Sequence, residues 1–293
     1  MINEFITYLR DTKGKADNTL VAYKRDVISF AKFLEGHSGR ELAECKESDS
    51  IAYILELNNA SKSKATINRK LSSLRTFYDY GIETGEVSEN PFSKIKSAKN
   101  DKRQIEFLSI EEVEKLLSLP DQTVKGIRDT ALFEFMYGTG ARVTEVVRLK
   151  FEDVNLKMNF VTLRDGEGES RIVPLGSYAQ KALRRYRDTA YSGLARTEVT
   201  DDSYVFINFR GQPLTRQGIW KMLKEYGAMI GIEDRMTPQI LRNSFAVHIL
   251  QNGGDLKTLQ ELMGFDDMSV GIAYLSVTNI RIKDVYSRTH PRA

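Results

Sequence analysis

The sequence predicts a mainly α-helical protein of two domains, with a small antiparallel sheet in the second. The length of 293 residues exceeds what one hydrophobic core usually organises. Apolar side chains recur at helical spacing through most of the chain, whereas alternation typical of a hairpin occurs over 159–175. A polar, lysine-rich stretch separates the two halves. We therefore predict domains at 1–90 and 105–293, joined by a basic linker at 91–104.

The first domain is expected to consist of helices. In one of them, apolar residues fall at i, i+4, i+7, i+10 and i+11 and so form a single stripe. These residues are Tyr23, Val27, Phe30, Phe33 and Leu34. Asn18 and Thr19 are the predicted cap of this helix, and Gly36 and Gly39 are expected to end it.

A second helix of this domain is predicted from Ser63 to Tyr80, with its basic residues on the surface. Residues 61–103 contain ten Lys or Arg and five acidic residues. Taken alone, this excess favours a solvated helix face and linker over a nucleic-acid contact. The basic side chains of the linker could also lie along a phosphate backbone.

The second domain is predicted to be mostly helical. Ser109 and Glu112 have the spacing of a capping box at its first helix. Further helices are expected at 128–137, 142–149, 178–186, 217–230, 241–252, 256–263 and 269–274. Strands are expected at 159–163, 171–175 and 205–208, the first two joined by a turn at 165–168.

The composition argues against several functional classes. No apolar run approaches the roughly 20 residues of a membrane span, and the N-terminus lacks the order of a secretion signal. The single cysteine, Cys45, suits a reducing cytoplasm. Because the chain has only this cysteine and three histidines, His37, His248 and His290, we expect no bound metal. The net charge of +3 permits nucleic-acid binding without arguing for it.

Three short segments combine residue types suited to chemistry on a phosphate. Arg142 follows the glycine turn 138–140 at a helix start, and Arg242 lies at the start of another helix, after Thr-Pro. Tyr274 lies nine residues after Phe265 in the third segment. Each has an ordinary explanation on its own, as a capped surface arginine or a half-buried tyrosine.

Together and in this order, the segments resemble the tyrosine recombinases of the Xer and phage-integrase type. The resemblance spans nearly the whole chain. It includes the two arginine boxes at 140–146 and 241–246, the segment 205–215, the tyrosine at 272–274 and the ending 290–293. It implies that 1–90 is a core-binding, SAM-like domain and that 105–293 is the catalytic domain. Asn90-Pro91-Phe92 matches the segment at which the chain exits the first of these domains.

The resemblance also implies a mechanism and partners. Tyr274 would attack a phosphate to form a 3′-phosphotyrosyl link, which stores the bond energy and needs no cofactor. Arg142 and Arg242 would stabilise the charge on the phosphate. Double-stranded DNA would be bound by homodimers that pair into tetramers, with residues 278–287 docking into a neighbouring subunit; a mixed tetramer with another recombinase is an alternative. The predicted DNA contacts are Lys64, Arg69, Lys70, Arg75, Lys94, Lys96, Lys99 and Lys221.

The chain departs from the family pattern where proton transfer is expected. Gly166 occupies the position of a hairpin lysine that protonates the leaving oxygen. Gln239 replaces a histidine three residues before the second arginine, and Phe265 replaces a His or Trp. A glutamine donates hydrogen bonds but transfers no proton near neutral pH. His248 matches a packing position and is not expected to compensate.

These departures leave two main hypotheses for the function. The first is an active strand-exchange enzyme with altered acid–base chemistry, favoured by the presence of the tyrosine and both arginines. The second is a DNA-binding protein on a recombinase scaffold that assists a partner recombinase. A third, a helical interaction module that does not bind DNA, would show no salt-dependent DNA binding.

Overall fold

The computed structural model describes residues 1–98, 105–166, 168–195 and 199–278. The chain divides into two compact units, Met1–Arg103 and Gln104–Ala293. Among the described residues, helices dominate both units, and the sheet has three antiparallel strands. The predicted fold class is thereby confirmed. None of the described helices combines the length and the apolar character that a membrane span requires.

The first unit packs helices around an aromatic core. They are α1 (Ile2–Asp11), α2 (Asp17–Ser38), α3 (Glu47–Asn59) and α4 (Lys64–Glu83). The ring of Phe30 lies at the centre, with centroids of Tyr53 and Phe92 4.9 and 5.1 Å away. Such tilted and edge-on contacts add to the burial of large rings, so they fix how α2, α3 and the segment after α4 meet.

The ends of these helices agree only partly with those predicted from the sequence. Gly39 ends α2 in the left-handed conformation, with φ of +66°, as predicted, whereas Gly36 lies inside the helix. The predicted cap at Asn18 and Thr19 is wrong, because both lie inside the first turn. Ala16 is the residue that precedes the helix, and its carbonyl already accepts from the N–H groups of Thr19 and Leu20.

The second unit contains the remaining helices and the sheet. The helices are α5 (Ile110–Ser118), α6 (Val124–Thr139), α7 (Val143–Arg148), α8 (Ser177–Arg185), α9 (Tyr191–Ala195), α10 (Arg216–Met229), α11 (Pro238–Gln251), α12 (Leu256–Met263) and α13 (Met268–Leu275). A π-helical turn, Tyr186–Ala190, joins α8 to α9. The capping box predicted at Ser109 and Glu112 is present, with bonds of 3.2 and 2.8 Å.

The sheet runs β1 (Val154–Asn155), β2 (Phe160–Arg164), β3 (Ser170–Pro174) in that order. β2 and β3 form the predicted hairpin, with Val161 opposite Val173. The strand predicted at 205–208 is wrong, since Ile207 makes only an isolated bridge to Pro213. The chain turns at Gly211, with φ of +73°, and a proline has no N–H with which to extend a ladder.

Two hydrophobic clusters hold the second unit together. The larger extends from α5 through α6 and the sheet to α10 and the start of α11. The smaller joins α11, α12 and α13, and both Phe265 and Tyr274 belong to it. The segment that carries the tyrosine therefore depends on a small satellite core. Its position is set by few contacts, which makes polar bonds at its boundary important.

Candidate active site

Arg142 is positioned by a glycine turn. Gly140 ends α6 with φ of +60°, and a Cβ there would lie 2.5 Å from the Phe245 ring. Any other residue would be both strained and obstructed. The chain then reverses so that Arg142 precedes α7, where its N–H and guanidinium donate to the Glu145 carboxylate at 2.6 and 3.0 Å. The predicted helix start after a glycine turn is thus present.

Arg242 lies near the start of α11 with its side chain almost fully buried. Its guanidinium donates to the carbonyls of Gly140 and Met263, the latter at 2.6 Å. Burial, with the charges of Arg142 and Arg171, lowers the pKa of Arg242 to about 10. The group remains a cation at neutral pH, but one that the fold holds at an electrostatic cost.

Arg171, on β3, is a third arginine of this cluster. It donates to both oxygens of Glu145, at 2.5 and 3.0 Å, and to the Leu262 carbonyl at 2.7 Å. The sequence did not place it here. Strand alternation carried a usable signal, because Arg171 lies two residues before the buried Val173 and therefore faces the same side.

The three arginines converge on one helix end, and two of them, Arg142 and Arg171, also share the Glu145 carboxylate. The consecutive carbonyls of Leu262, Met263 and Gly264 accept from Arg171, Arg242 and Arg142 respectively. Cations at a helix C-terminus satisfy its free carbonyls and complement its dipole. Burial would raise the pKa of Glu145, but Arg171 and Arg142 hold it below its ordinary value. We call Arg142, Arg171, Arg242 and Glu145 the arginine cluster.

Tyr274 lies on α13 with only 5% of its surface exposed. Its hydroxyl donates to the side-chain oxygen of Asn243 at 3.1 Å. Burial raises the pKa of Tyr274, and the charges of Arg242 and Arg142 act in the opposite direction. The structure therefore brings the three predicted catalytic residues into one electrostatic environment. Asn243, which sequence reasoning did not single out, is the direct partner of the hydroxyl.

The residues at the altered positions take up structural roles. Gln239 is exposed and donates to the Asn243 oxygen at 2.8 Å. The Phe265 ring packs on α13, since a Cβ at Gly271 would lie 2.9 Å from it. His248 is buried and shares a 2.9 Å hydrogen bond with the Tyr137 hydroxyl, in agreement with its predicted packing role.

At the hairpin, Gly166 has φ of +94°, and a Cβ there would lie 1.4 Å from an Arg148 nitrogen. Arg148 donates to the Asp165 carbonyl at 3.1 Å. A guanidinium from α7 thus occupies the space into which a side chain at 166 would point. Arg164, also of the hairpin, is paired with Asp153 at 2.8 Å.

A cavity of about 530 Å³ opens beside Arg142 and Arg242, the two arginines predicted to be catalytic. Arg142, Arg242 and Gln239 line one side of it, and Arg216 and Trp220 of α10 line another. Trp220 is 47% exposed, unusual for the largest apolar side chain. The cavity combines guanidinium groups with an aromatic surface, which suits a phosphate and the sugar or base attached to it.

The predicted DNA-binding residues are dispersed, and several have acidic partners. Lys64, Lys96 and Lys221 are exposed, and Lys94 pairs with Glu47 at 2.8 Å. Arg69 pairs with Asp26, and Arg75 donates to the carbonyls of Phe92 and Ile95. Lys99 lies outside the described residues, as do 279–287 of the predicted docking segment and the ending 290–293.

The surface position predicted for Lys70 is wrong. Its side chain is 11% exposed, and its ammonium lies 3.1 Å from Ser29, 3.2 Å from Tyr53 and 3.5 Å from the Asp26 carboxylate. Asp26 is itself fully buried. A buried carboxylate requires a counter-charge, so Lys70 turns inward although the apolar pattern of α4 leaves it outside the stripe.

The chain is similar in sequence to proteins of a known family. The family model described as "Phage integrase family" matches residues 106–280, and "Phage integrase, N-terminal SAM-like domain" matches residues 2–85. Tyrosine recombinase XerD of Listeria innocua is 40% identical over 298 aligned positions, covering 100% of this chain and 99% of the relative. A putative tyrosine recombinase of Caldanaerobacter subterraneus is also 40% identical, with the same coverage.

Solved structures share the fold at lower identity. XerH recombinase, bound to its palindromic difH substrate after cleavage, has a TM-score of 0.75 at 19% identity and covers 98% of this chain and 84% of its own. A lambda integrase dimer bound to a COC′ core site has a TM-score of 0.72 at 16% identity, covering 93% of both chains. At these identities the similarity concerns the fold.

Proposed function

The chain belongs to the phage integrase family of tyrosine recombinases, and from this we propose that it is a site-specific DNA recombinase that cleaves through Tyr274. The observation that carries the proposal is the shared environment of three side chains. The Tyr274 hydroxyl donates to Asn243, the residue that follows Arg242. Burial raises the pKa of Tyr274, and the charges of Arg242 and Arg142 act in the opposite direction.

The reaction balances without a cofactor. The Tyr274 oxygen forms a bond to phosphorus, the bond from phosphorus to the 5′ oxygen breaks, and the phosphate remains attached at its 3′ side. The phenol proton goes to solvent, and solvent supplies a proton to the leaving 5′ oxygen. Rejoining reverses these steps, with a 5′ hydroxyl attacking the phosphotyrosyl bond.

Arg142 and Arg242 would bind the non-bridging oxygens of the phosphate. Both are charged at neutral pH and form directional pairs of hydrogen bonds with such oxygens. In the free protein, their N–H groups donate to main-chain carbonyls at 140, 263 and 264. A phosphate would have to replace part of these bonds. Arg142 suits that exchange, because 38% of its side chain is exposed.

The proton transfers are the weak part of this site. A positioned acid or base contributes about 10²–10⁴ in rate, and Gly166, Gln239 and Phe265 supply neither. The loss of both would slow the reaction by roughly 10⁴–10⁸, or by less if the two groups act as a unit. We therefore expect slow cleavage that still depends on the nucleophile and the two arginines.

DNA binding by both units completes the proposal. Lys64, Arg69, Arg75, Lys94, Lys96, Lys99 and Lys221 would lie on phosphates, with Lys70 left out because it is buried. Recombinases of similar fold are described as bound to DNA, one of them as a dimer. For this chain we propose dimers on each site that pair into tetramers.

A second function is favoured by the altered positions. None of the three residues transfers a proton near neutral pH, and Phe265 and Gly166 are built into local packing. A subunit of this kind would bind DNA, pair sites and support the cleavage carried out by a more active recombinase in a mixed tetramer. This helper role and the slow enzyme differ in one measurable property, which is whether the protein alone forms a covalent link to DNA.

The experiment uses a library of duplexes of randomised sequence, each of which carries a nick. After cleavage near the nick, the short fragment with the 5′ hydroxyl dissociates. Rejoining is then prevented, and the covalent link to the protein persists. The full-length protein is incubated with the library, and DNA retained after denaturation is sequenced. We expect a small Tyr274-dependent fraction that is absent from Tyr274→Phe and reduced in Arg142→Ala. DNA binding without any adduct would reject the enzyme and favour the helper role.

A further inference from the structure

Asn243 occupies a junction between the predicted nucleophile and the entry of the second unit. Its side-chain oxygen accepts from the Tyr274 hydroxyl at 3.1 Å and from Gln239 at 2.8 Å. Its side-chain nitrogen donates to the Glu106 carbonyl at 2.9 Å. With two donors on one end and a carbonyl on the other, the amide has one satisfactory orientation. A flipped amide would place its oxygen against the Glu106 carbonyl, which only accepts.

We infer that Asn243 is a positioning residue for Tyr274: its amide oxygen holds the nucleophile's hydroxyl, and its bonds to Gln239 and Glu106 fix that amide. The inference rests on the proposed function, because it concerns how the nucleophile of that reaction is held. It assigns Gln239 a task as well. In place of a proton-transfer group, the chain has a glutamine that orients the partner of the tyrosine.

The direction of this hydrogen bond matters for the chemistry. A phenol hydroxyl has one hydrogen, and here that hydrogen is committed to Asn243. The oxygen's lone pairs, with which it attacks phosphorus, are therefore left unblocked. An amide oxygen accepts a hydrogen bond but takes no proton near neutral pH, so Asn243 orients the hydroxyl without serving as the base.

A second contact supports a braced site. The Leu108 N–H donates to the buried Ser244 hydroxyl at 2.8 Å, one residue after Asn243. Residues 106–108 are thus bonded to α11 at two successive positions. Phe107 and Ile105 pack against the small cluster that contains Tyr274. The start of the second unit is therefore held against α11 beside Asn243.

Two substitutions separate positioning from bracing. Asn243→Asp keeps an oxygen that accepts from Tyr274 but loses the donor to Glu106, whereas Asn243→Leu loses both. The test uses full-length protein without DNA, with tyrosine labelled at the ring carbon that bears the hydroxyl. Tyr274→Phe assigns the resonance by NMR. Ser244→Ala is the matched control, because it removes the neighbouring brace and leaves Asn243 in place.

We expect the two variants to move the Tyr274 titration in opposite directions. Asn243→Leu removes an acceptor that favours the neutral phenol and so lowers the pKa, while the carboxylate of Asn243→Asp raises it. The resonance position near neutral pH should change in Asn243→Leu and stay unchanged in Ser244→Ala. Equal shifts in all three variants, or none in Asn243→Leu, would overturn the inference.

A second measurement links position to chemistry. In single-turnover reactions on the nicked duplexes recovered by the library selection, we expect Asn243→Leu to form adduct about tenfold more slowly, the effect of a misplaced nucleophile. DNA affinity should not change. If the wild-type protein forms no adduct, the proposed function fails while the NMR result still decides the role of Asn243. An unchanged adduct rate in Asn243→Leu would contradict positioning.

Discussion

At the residue scale, the sequence predicts candidate catalytic residues but not the side chain that contacts the candidate nucleophile. The sequence predicts Arg142, Arg242 and Tyr274 as catalytic because the segments that carry them resemble the motifs of a family in that family's order. It does not identify Asn243, since an asparagine after an arginine has no periodicity or motif of its own. Its importance follows from long-range contact with Tyr274 and Glu106, and such pairings are not encoded in local spacing.

The first residue-scale prediction concerns the missing lysine. Gly166→Lys should not restore rapid cleavage, because φ of +94° disfavours any side chain and the Arg148 guanidinium fills the space. We expect a destabilisation of about 1 kcal/mol or more and an unchanged adduct rate. Adding Arg148→Ala should relieve the steric part only. A large rate increase from Gly166→Lys alone would show that the hairpin rearranges on DNA.

The second residue-scale prediction is a pH profile. Burial raises the pKa of Tyr274, so the phenolate fraction at neutral pH is small and grows about tenfold per pH unit below that pKa. Adduct formation should therefore rise steadily from neutral to alkaline pH. Gln239→His should add an inflection near about 6.5. A wild-type profile that levels off below about pH 8 would point to a base that is not among these residues.

At the element scale, helices with long stripes and clear caps were predictable, and weak elements were not. The helices around Arg142, Arg242 and Tyr274 lie within a few residues of their expected positions. The strand expected at 205–208 is absent because Pro213 and the turn at Gly211 prevent a ladder from forming. Lys70 turned inward for Asp26, since a buried charge overrides the apolar pattern of its helix.

The prediction at this scale concerns how the arginine cluster holds α7, β3 and α12 together. Glu145→Gln leaves three guanidinium groups without their buried counter-charge, and we expect a loss of about 3–5 kcal/mol in the free energy of unfolding at neutral pH. Glu152→Gln, at an exposed position, is the matched control. Urea unfolding followed by the fluorescence of Trp220, the single tryptophan, reports on this unit.

The same variant has a defined pH dependence. The pKa of Glu145 in the folded protein lies below its ordinary value of 4.5. Its contribution to stability is therefore complete above about 4.5 and is lost as the pH falls through the folded-state pKa. The difference in the free energy of unfolding between wild type and Glu145→Gln should therefore become smaller as the pH is lowered. A difference that stays constant down to the acid transition would mean that the carboxylate charge is not what stabilises the cluster.

At the scale of the whole molecule, the resemblance to a family gave more than composition could. A net charge of +3 does not distinguish a DNA-binding protein from proteins that bind no DNA. The order of the motifs along the chain predicted both the SAM-like first unit and the family of the second, and the family models match both. Which lysines contact DNA stays a prediction, because charge alone does not separate a phosphate contact from a solvated face.

The last prediction tests whether both units bind one duplex. Each phosphate contact releases counterions, so log K falls with log salt at a slope of about −0.9 per contact. Lys96→Ala in the first unit and Lys221→Ala in the second should each make that slope shallower by about 0.9, and the double variant by about 1.8. Binding of a fixed duplex by fluorescence anisotropy across a salt series measures it. Lys32→Ala, exposed on α2 and outside the proposed contacts, should leave the slope unchanged. If only one of the two single variants alters the slope, the two units do not share the duplex through these side chains.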